Sequence, residues 1–234
     1  MKHLLFYFCL FPGCYSANAQ TYIAGEEVEA SSIKPWVAAS VKAYEGAYQF
    51  GYSEGEYELL LVVNNGVATA QFRSGAWNEK ATSFRFSYTS LHEVRIEGRR
   101  LYSKELVGEF VVVQEADEKL YGLKKIDSKE KGKELAEVGR KKESLEEFYP
   151  RKFPQVSYRL LQPDKVHALS KTQLSLMRNE IFARHGYMFQ KGSESAAYFK
   201  KQEWYTPYRT DTSTFLNAIE KENIALIKAI EGQE

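Results

Sequence analysis

The chain is poor in the side chains that bind metals and perform thiol chemistry. It has four histidines and two cysteines in 234 residues, and both cysteines, Cys9 and Cys14, lie near its start. That segment is predicted to be removed, so neither a disulfide nor a catalytic thiol is expected in the remaining chain. No later run approaches 18 apolar residues, which argues against a membrane-spanning helix.

The motifs of several common enzyme classes are also missing. The sequence contains no G-x-S-x-G elbow, no phosphate-binding loop and no dinucleotide-binding fingerprint. His92 and Glu93 are neighbours in a predicted strand, where successive side chains point to opposite faces, so they do not form a His–Glu zinc pair. We therefore predict no catalytic residues, no metal site and no cofactor.

The first 19 residues have the pattern of a secretory signal peptide. A basic start precedes an apolar run over residues 4–11, and the small-x-small sequence Ala17–Ala19 follows it. Cleavage is predicted after Ala19, which predicts a secreted or periplasmic protein. A lipid anchor on Cys14 is the alternative, but the residues before it make a poor lipidation site.

Strand-like patterning dominates residues 20–126. From residue 44 onwards, apolar and polar side chains alternate with a period of two. Asn65 and Gly66 separate two β-rich runs and predict a tight hairpin turn, because both turn positions need positive φ. About eight short strands without an intervening helix predict an antiparallel meander that closes into a small barrel or stays an open, curled sheet.

The apolar faces of these strands are rich in aromatic side chains, including Phe50, Phe84 and Phe86. An eight-stranded barrel can be packed solid or can hold one small ligand. A solid core is the favoured interpretation. The alternative function is binding of a small apolar ligand in a cavity lined by these rings, or protein–protein scaffolding through the β domain.

Composition changes sharply after the strands. Lysine and glutamate dominate residues 127–149, and the large apolar side chains there are too sparse for a core face. We predict a charged, partly helical linker. It joins the β domain to a second, all-α domain of three to four helices over residues 150–234.

One helix organises this second domain. Ser170 is its predicted N-cap, with Gln173 reaching back as a capping box, and Gly186 is predicted to end it. Arg178 and His185 fall within the apolar stripe of this helix, and an unpaired buried cation is very costly.

The favoured interpretation is an internal hydrogen-bond network of Arg178, His185 and Asn223. Asn223 lies in the apolar face of the last helix, for which Asp211 or Thr212 is the predicted cap, and a buried polar side chain needs a partner. The alternative is that Arg178 and His185 face a ligand.

The sequence RNEIFARHGY at Arg178–Tyr187 resembles the signature of the YARHG domain, with Phe182 in place of its first tyrosine. Flanking blocks agree in order: SYRLL at 157–161, LSK at 169–171, YF at 198–199, WYTP at 204–207 and LNAIEKENI at 216–224. The resemblance covers about residues 150–233. It implies a small extracellular bacterial domain, often attached to other envelope modules, and it implies no catalytic residues.

Charge and aromatic content suggest a class of partner. Residues 150–234 carry 13 basic and 9 acidic side chains, a net charge of +4. This favours anionic partners such as wall polymers or lipid head groups, but it is too small to indicate nucleic acid. We predict a non-catalytic, envelope-associated binding module whose partner is a glycan, a lipid head group or a protein, and whose oligomeric state is open.

Aromatic rings stack on sugar faces, and Arg or Lys pairs with carboxylates and phosphates. The candidate binding residues are Arg178, Arg184, His185, Lys200, Lys201, Trp204, Tyr205 and Tyr208. The alternative for Trp204 and Tyr205 is that they fill the core, because a domain of this size has little apolar surface to bury.

Overall fold

The computed structural model describes residues 27–51, 57–77, 84–115, 118–126, 135–142, 144–149 and 152–232. The predicted signal peptide, the cleavage site after Ala19 and the alternative lipid anchor at Cys14 lie outside the described residues.

Eleven described strands form one antiparallel sheet. They are β1 (Glu27–Glu29), β2 (Ile33–Pro35), β3 (Gly46–Phe50), β4 (Tyr57–Asn64), β5 (Val67–Trp77), β6 (Phe84–Ser90), β7 (Arg95–Glu97), β8 (Arg100–Tyr102), β9 (Val107–Glu115), β10 (Glu118–Lys125) and β11 (Leu135–Lys142). Their order is β6-β5-β4-β3-β11-β10-β9-β8-β7, with β1 on β11 and β2 on β9. No pairing among the described strands joins β6 to β7, so this sheet is not closed into a barrel.

The predicted hairpin at Asn65 and Gly66 is confirmed. The two residues have φ values of 48° and 80°, and they join β4 to β5 in a register that pairs Asn64 with Val67. Positive φ at both turn positions twists the backbone in the sense that the flanking strands require.

Strand β4 is apolar from Leu59 to Val63 because both of its faces are covered there. Leu59 and Leu61 belong to one core cluster, whereas Leu60 and Val62 belong to another. Successive side chains of a strand point to opposite faces, so an unbroken apolar run is what a strand buried on both sides needs.

The prediction of a partly helical linker is wrong for Leu135–Lys142, which form β11 in the middle of the sheet, between β3 and β10. Ala136 and Val138 are buried on one face of the strand, with Glu137 between them on the other face. The many charged side chains concealed this period of two. The sheet therefore extends beyond the predicted boundary at residue 126.

Four helices follow in the described C-terminal region, as predicted: α1 (Pro163–His167), α2 (Lys171–Arg184), α3 (Glu194–Phe199) and α4 (Ala218–Glu231). The capping box of α2 is present, with Ser170 Oγ accepting from Gln173 N at 3.3 Å and Gln173 Oε1 accepting from Ser170 N at 3.0 Å. The predicted cap of the last helix is wrong, because Asn217 caps α4 in a second capping box with Glu220.

The sheet and the helical region share a core. Ala47, Leu60, Val62 and Tyr88 of the sheet pack against Leu145, Phe148, Tyr149, Tyr158 and Ile219. An ion pair also crosses the junction, with Arg159 Nη1 and Nη2 donating to the two carboxylate oxygens of Glu45 at 2.9 Å and 2.5 Å. The helices are therefore built on one face of the sheet. None of the described helices is long and apolar enough to cross a membrane.

Candidate functional site at the junction of sheet and helices

The end of α2 points its last side chains at the sheet. Arg184 closes the helix, His185 caps it, and Gly186 follows with φ of +77°. A Cβ at Gly186 would collide with the ring of Tyr208. Glycine is thus needed here both for the left-handed turn and for the close approach of Tyr208.

A fully buried carboxylate organises the junction. Glu220 Oε1 accepts from Arg184 Nη1 at 2.7 Å and from Ser157 Oγ at 2.8 Å. Glu220 Oε2 lies 3.0 Å from His185 Nε2 and accepts from the backbone N–H of Asn217 at 3.0 Å. The carboxylate therefore has four partners, which is what a buried charge needs to be tolerated.

The protonation states follow from this arrangement. Burial by itself would raise the pKa of Glu220, but Arg184 and His185 attract the carboxylate, and the pKa falls to about 2. Burial lowers the pKa of His185 despite the opposing attraction of Glu220. His185 is therefore neutral at pH 7, and its Nε2 carries the hydrogen because a carboxylate only accepts.

Arg184 also binds the sheet. Its Nη2 donates to Gln71 Oε1 at 2.7 Å, and its guanidinium lies 3.9 Å from the ring centroid of Tyr88 and 4.3 Å from that of Tyr149. Arg184, one of the candidate binding residues predicted from the sequence, is only 5% exposed. His185 is buried as well. Both side chains hold the helices onto the sheet.

The three residues of the predicted network have separate partners. His185 contacts Glu220, whereas Arg178 forms an ion pair with Glu231, with Nε and Oε2 2.9 Å apart. Asn223 is buried and contacts neither Arg178 nor His185. Its amide bonds with backbone groups of Val156, Arg159 and Leu161 at 2.7–2.9 Å.

A cleft of about 130 Å³ opens beside Arg184, and we call it the junction cleft. Its main lining residues are Arg73, Phe84, Phe86, Arg184, Trp204, Thr206 and Tyr208. Phe84 and Phe86 are 36% and 38% exposed, so they do not line the interior cavity that the barrel alternative predicts. Phe50 is packed in the core between other strands.

Arg73 forms one wall of the junction cleft from β5. Its Nη1 donates to Glu58 Oε1 at 3.0 Å, and its guanidinium lies 3.5 Å from the ring centroid of Phe86. Arg73 is 8% exposed. The buried Nε atoms of Arg73 and Arg184 have no acceptor in the part of the chain that the structure describes.

A second depression, the aromatic–basic groove, lies on the other side of the 204–208 segment. It has a volume of about 390 Å³ and is lined by Met188, Phe189, Lys191, Ala196, Lys200, Tyr205 and Pro207. Trp204, Thr206 and Tyr208 line the junction cleft, whereas Tyr205 and Pro207 line the groove. The side chains of residues 204–208 therefore alternate between two surfaces, and this segment separates the junction cleft from the groove.

The structure thus separates the predicted binding residues. Trp204 and Tyr208 line the junction cleft, and Lys200 and Tyr205 line the groove. Lys201 is exposed next to Lys200. Sequence reasoning missed Glu220, although the Asn-x-x-Glu pattern from Asn217 onwards is a capping-box signal that could have indicated it.

Within the described ranges, no three His, Cys, Asp or Glu side chains come together as a metal site would require. Comparison with curated proteins gives no significant match, and neither does comparison with solved structures. Residues 151–232 hold all four described helices together with Arg184, His185 and Glu220. This region matches the family model of the YARHG domain, which confirms the resemblance carried by residues 178–187.

Proposed function

We propose that this protein is a secreted or periplasmic, non-catalytic module that binds a component of the cell envelope. Its ligand is a wall glycan or another anionic envelope polymer, and the aromatic–basic groove is the binding surface. The observation that carries the proposal is the combination, in one open groove, of exposed apolar surface with two lysines.

The floor of the groove can take the apolar face of a sugar. Met188 is 43% exposed, and Phe189, Tyr205 and Pro207 add further apolar surface. The hydroxyl of Tyr205 donates to the Tyr187 carbonyl at 2.5 Å, which fixes this ring in place. A ring held by the protein before binding loses little conformational freedom when a ligand stacks on it.

The rim of the groove supplies positive charge. Lys191 and Lys200 line it and are exposed, and neither forms an ion pair with a carboxylate in the described residues. Lys201 adds a third ammonium group next to Lys200. Carboxylates or phosphates of an envelope polymer can pair with these groups, and such exposed pairing is weakened by salt.

The test is retention of the full chain from residue 20 to residue 234 on purified cell-wall material at low and at moderate salt. We expect retention that falls as salt rises, and a several-fold loss in the double variant Lys191→Gln/Lys200→Gln. The matched control is Lys171→Gln/Lys228→Gln, which removes two exposed lysines outside the groove.

The control variant is expected to bind like the unmodified protein. Absence of retention by the folded, unmodified protein at low salt would overturn the proposal. An equal loss in both double variants would show that net charge, and not the groove, causes the binding.

A further inference from the structure

We propose that the sheet carries a separate binding site, which takes the phosphate group and the ring of a phosphorylated sugar. The site is an open cleft of about 440 Å³ where β10 and β11 part, and we call it the strand cleft. Its lining residues are Trp36, Glu118, Lys119, Leu120, Tyr121, Arg140, Lys141 and Lys142. All of them lie outside residues 151–232, so the inference does not depend on the function proposed for the groove.

The strand cleft exists because two neighbouring strands separate. Residues 122–124 of β10 pair with residues 138–140 of β11, but no register pair of these described strands joins Glu118–Tyr121 to the last two residues of β11. There β10 stays paired with β9, and β11 stays paired with β3. Each strand therefore has a backbone edge that faces the cleft without a strand partner. Backbone N–H groups along such an edge can donate to an anion.

Consecutive residues line the cleft, which places the opening between the strands and not on one face of the sheet. Successive side chains of a strand point to opposite faces, so a pocket on one face would be lined by every second residue. Here residues 118–121 of β10 and residues 140–142 of β11 all take part. A ligand in the cleft can therefore contact side chains from both faces of the sheet as well as the two backbone edges.

Two lysines of the strand cleft have no carboxylate partner. Lys119 is exposed on β10 and Lys142 is half-buried on β11, and neither forms an ion pair within the described residues. Lys125 lies at the paired end of the same two strands, and its Nζ is 3.2 Å from a carboxylate oxygen of Glu137. Positive charge is thus balanced where the strands pair and unbalanced where they part, which attracts an anion to the cleft.

The number of charges indicates a phosphate and not a carboxylate. Arg140 and Lys141 line the cleft together with the two lysines, whereas Glu118 is the one carboxylate among its described lining residues. A phosphate monoester carries a charge of about −1.5 to −2 at pH 7 and three acceptor oxygens, whereas a carboxylate carries a single charge. A phosphate can therefore pair with both unpaired ammonium groups and still accept from a backbone edge.

An aromatic wall next to these charges suits a sugar ring. Tyr121 is 44% exposed, and its ring centroid lies 4.6 Å from that of Trp36. Trp36 is itself held by Tyr44, with ring centroids 4.9 Å apart, and its backbone N–H donates to Phe110 O at 3.0 Å. A sugar face can stack on a ring that is supported in this way. Small-molecule sites have volumes of roughly 300–1,000 Å³, so this cleft has room for a ring beside the phosphate.

The experiment is an NMR titration of the isotope-labelled chain from residue 20 to residue 234 with glucose 6-phosphate at constant ionic strength and pH 7. One reference ligand is glucuronate, a ring with one negative charge, and the other is inorganic phosphate, which has no ring. We expect saturable shifts for the amides of residues 118–121 and 140–142. Each reference ligand should bind at least about fivefold more weakly than glucose 6-phosphate.

Three variants locate the binding. Lys119→Gln/Lys142→Gln removes the two unpaired ammonium groups and is expected to weaken glucose 6-phosphate binding about tenfold. Lys171→Gln/Lys228→Gln removes two exposed lysines of the helical region and is expected to bind like the unmodified protein. Tyr121→Ala removes the exposed ring and should reduce the affinity for glucose 6-phosphate to that for inorganic phosphate. If Tyr121→Ala does not fold, the two lysine variants decide the outcome.

No saturable shift at the strand cleft would overturn the inference, and so would an equal loss of affinity in the two lysine variants. Glucuronate binding as tightly as glucose 6-phosphate would reject the phosphate as the recognised group. Inorganic phosphate binding as tightly would reject the sugar. The two proposals fail separately, because Lys191 and Lys200 of the groove are unchanged in all of these variants.

Discussion

Two arginines of α2, six residues apart, show how differently the two sides of the helical region are built. Arg184 faces the sheet, is almost fully buried, and pairs with Glu220, which has no exposed surface. Arg178 lies on the far side, where about a quarter of its side chain is exposed, and pairs with Glu231. Two arginine side chains of one helix thus have different roles: Arg184 forms a buried ion pair that holds the helix on the sheet, and Arg178 forms a partly exposed one.

The cores around these two arginines also differ in composition. The outer core between α2 and α4 is mainly aliphatic, with Leu174, Met177, Ile181, Ile224, Ile227 and Ile230. The junction core contains three tyrosines next to the Glu220 network. Hydrophobic burial is non-directional, whereas hydrogen bonds require defined geometry. The polar network therefore fixes how the helices sit on the sheet, and the aliphatic core mainly contributes stability.

The largest effect should come from removing one side of the junction. We expect the isolated segment 150–234 to lose cooperative unfolding, because Arg184 would lose Gln71 and Tyr88, and Ile219 would lose its cover from the sheet. Amide NMR dispersion and thermal melts of the segment and of residues 20–234 would measure this. A well-dispersed spectrum with an unchanged melting temperature would show that the helical region folds independently.

The next largest effect should distinguish the buried Arg184–Glu220 pair from the partly exposed Arg178–Glu231 pair. Glu220→Gln should lower the free energy of unfolding by about 3–5 kcal/mol, because it leaves Arg184 buried without its counter-charge. Glu231→Gln, the matched change on the outer side, should lower it by less than about 1 kcal/mol because that pair is partly solvated. Urea denaturation of both variants measures the difference, and similar losses would contradict the distinction between the two sides.

The smallest effect is the first of two losses of stability that we expect as the pH falls. The folded-state pKa of His185 lies below its ordinary value of 6.5, so the unfolded chain binds a proton first and stability is lost as the pH falls below 6.5. The pKa of Glu220 falls from 4.5 to about 2, so further stability is lost below pH 4.5. This second loss is on the order of 3 kcal/mol.

Urea denaturation at pH 7.5 and pH 5.5 tests the first step. His185→Gln keeps an N–H donor but cannot take up a proton, so its loss of stability between these pH values should be smaller than that of the unmodified protein. His167→Gln, a change at an exposed histidine, is the control. If both variants kept the full loss, His185 would not be its cause.

Features set by neighbouring residues could be predicted from the sequence. The Ser170–Gln173 capping box, the Asn65–Gly66 turn and the glycine after α2 each depend on a few adjacent positions, and all three are present. The strand β11 was missed because its charged side chains outweighed two buried residues, Ala136 and Val138. Its place between β3 and β10 depends on long-range pairing, which leaves no local signal.

The sequence by itself determined that α2 begins at a capped serine and ends before a glycine, and that positive charge lies on its apolar stripe. Only the tertiary structure decided which cations of this segment are buried, and Arg184, which does not lie on the predicted stripe, is one of them. Arg184 meets Glu220 from 36 positions away and Gln71 from 113 positions away. The junction cleft likewise needs β6 and the 204–208 segment to come together. Backbone caps and turns follow from local sterics and hydrogen bonding, whereas these partners are chosen by the packing of the whole chain.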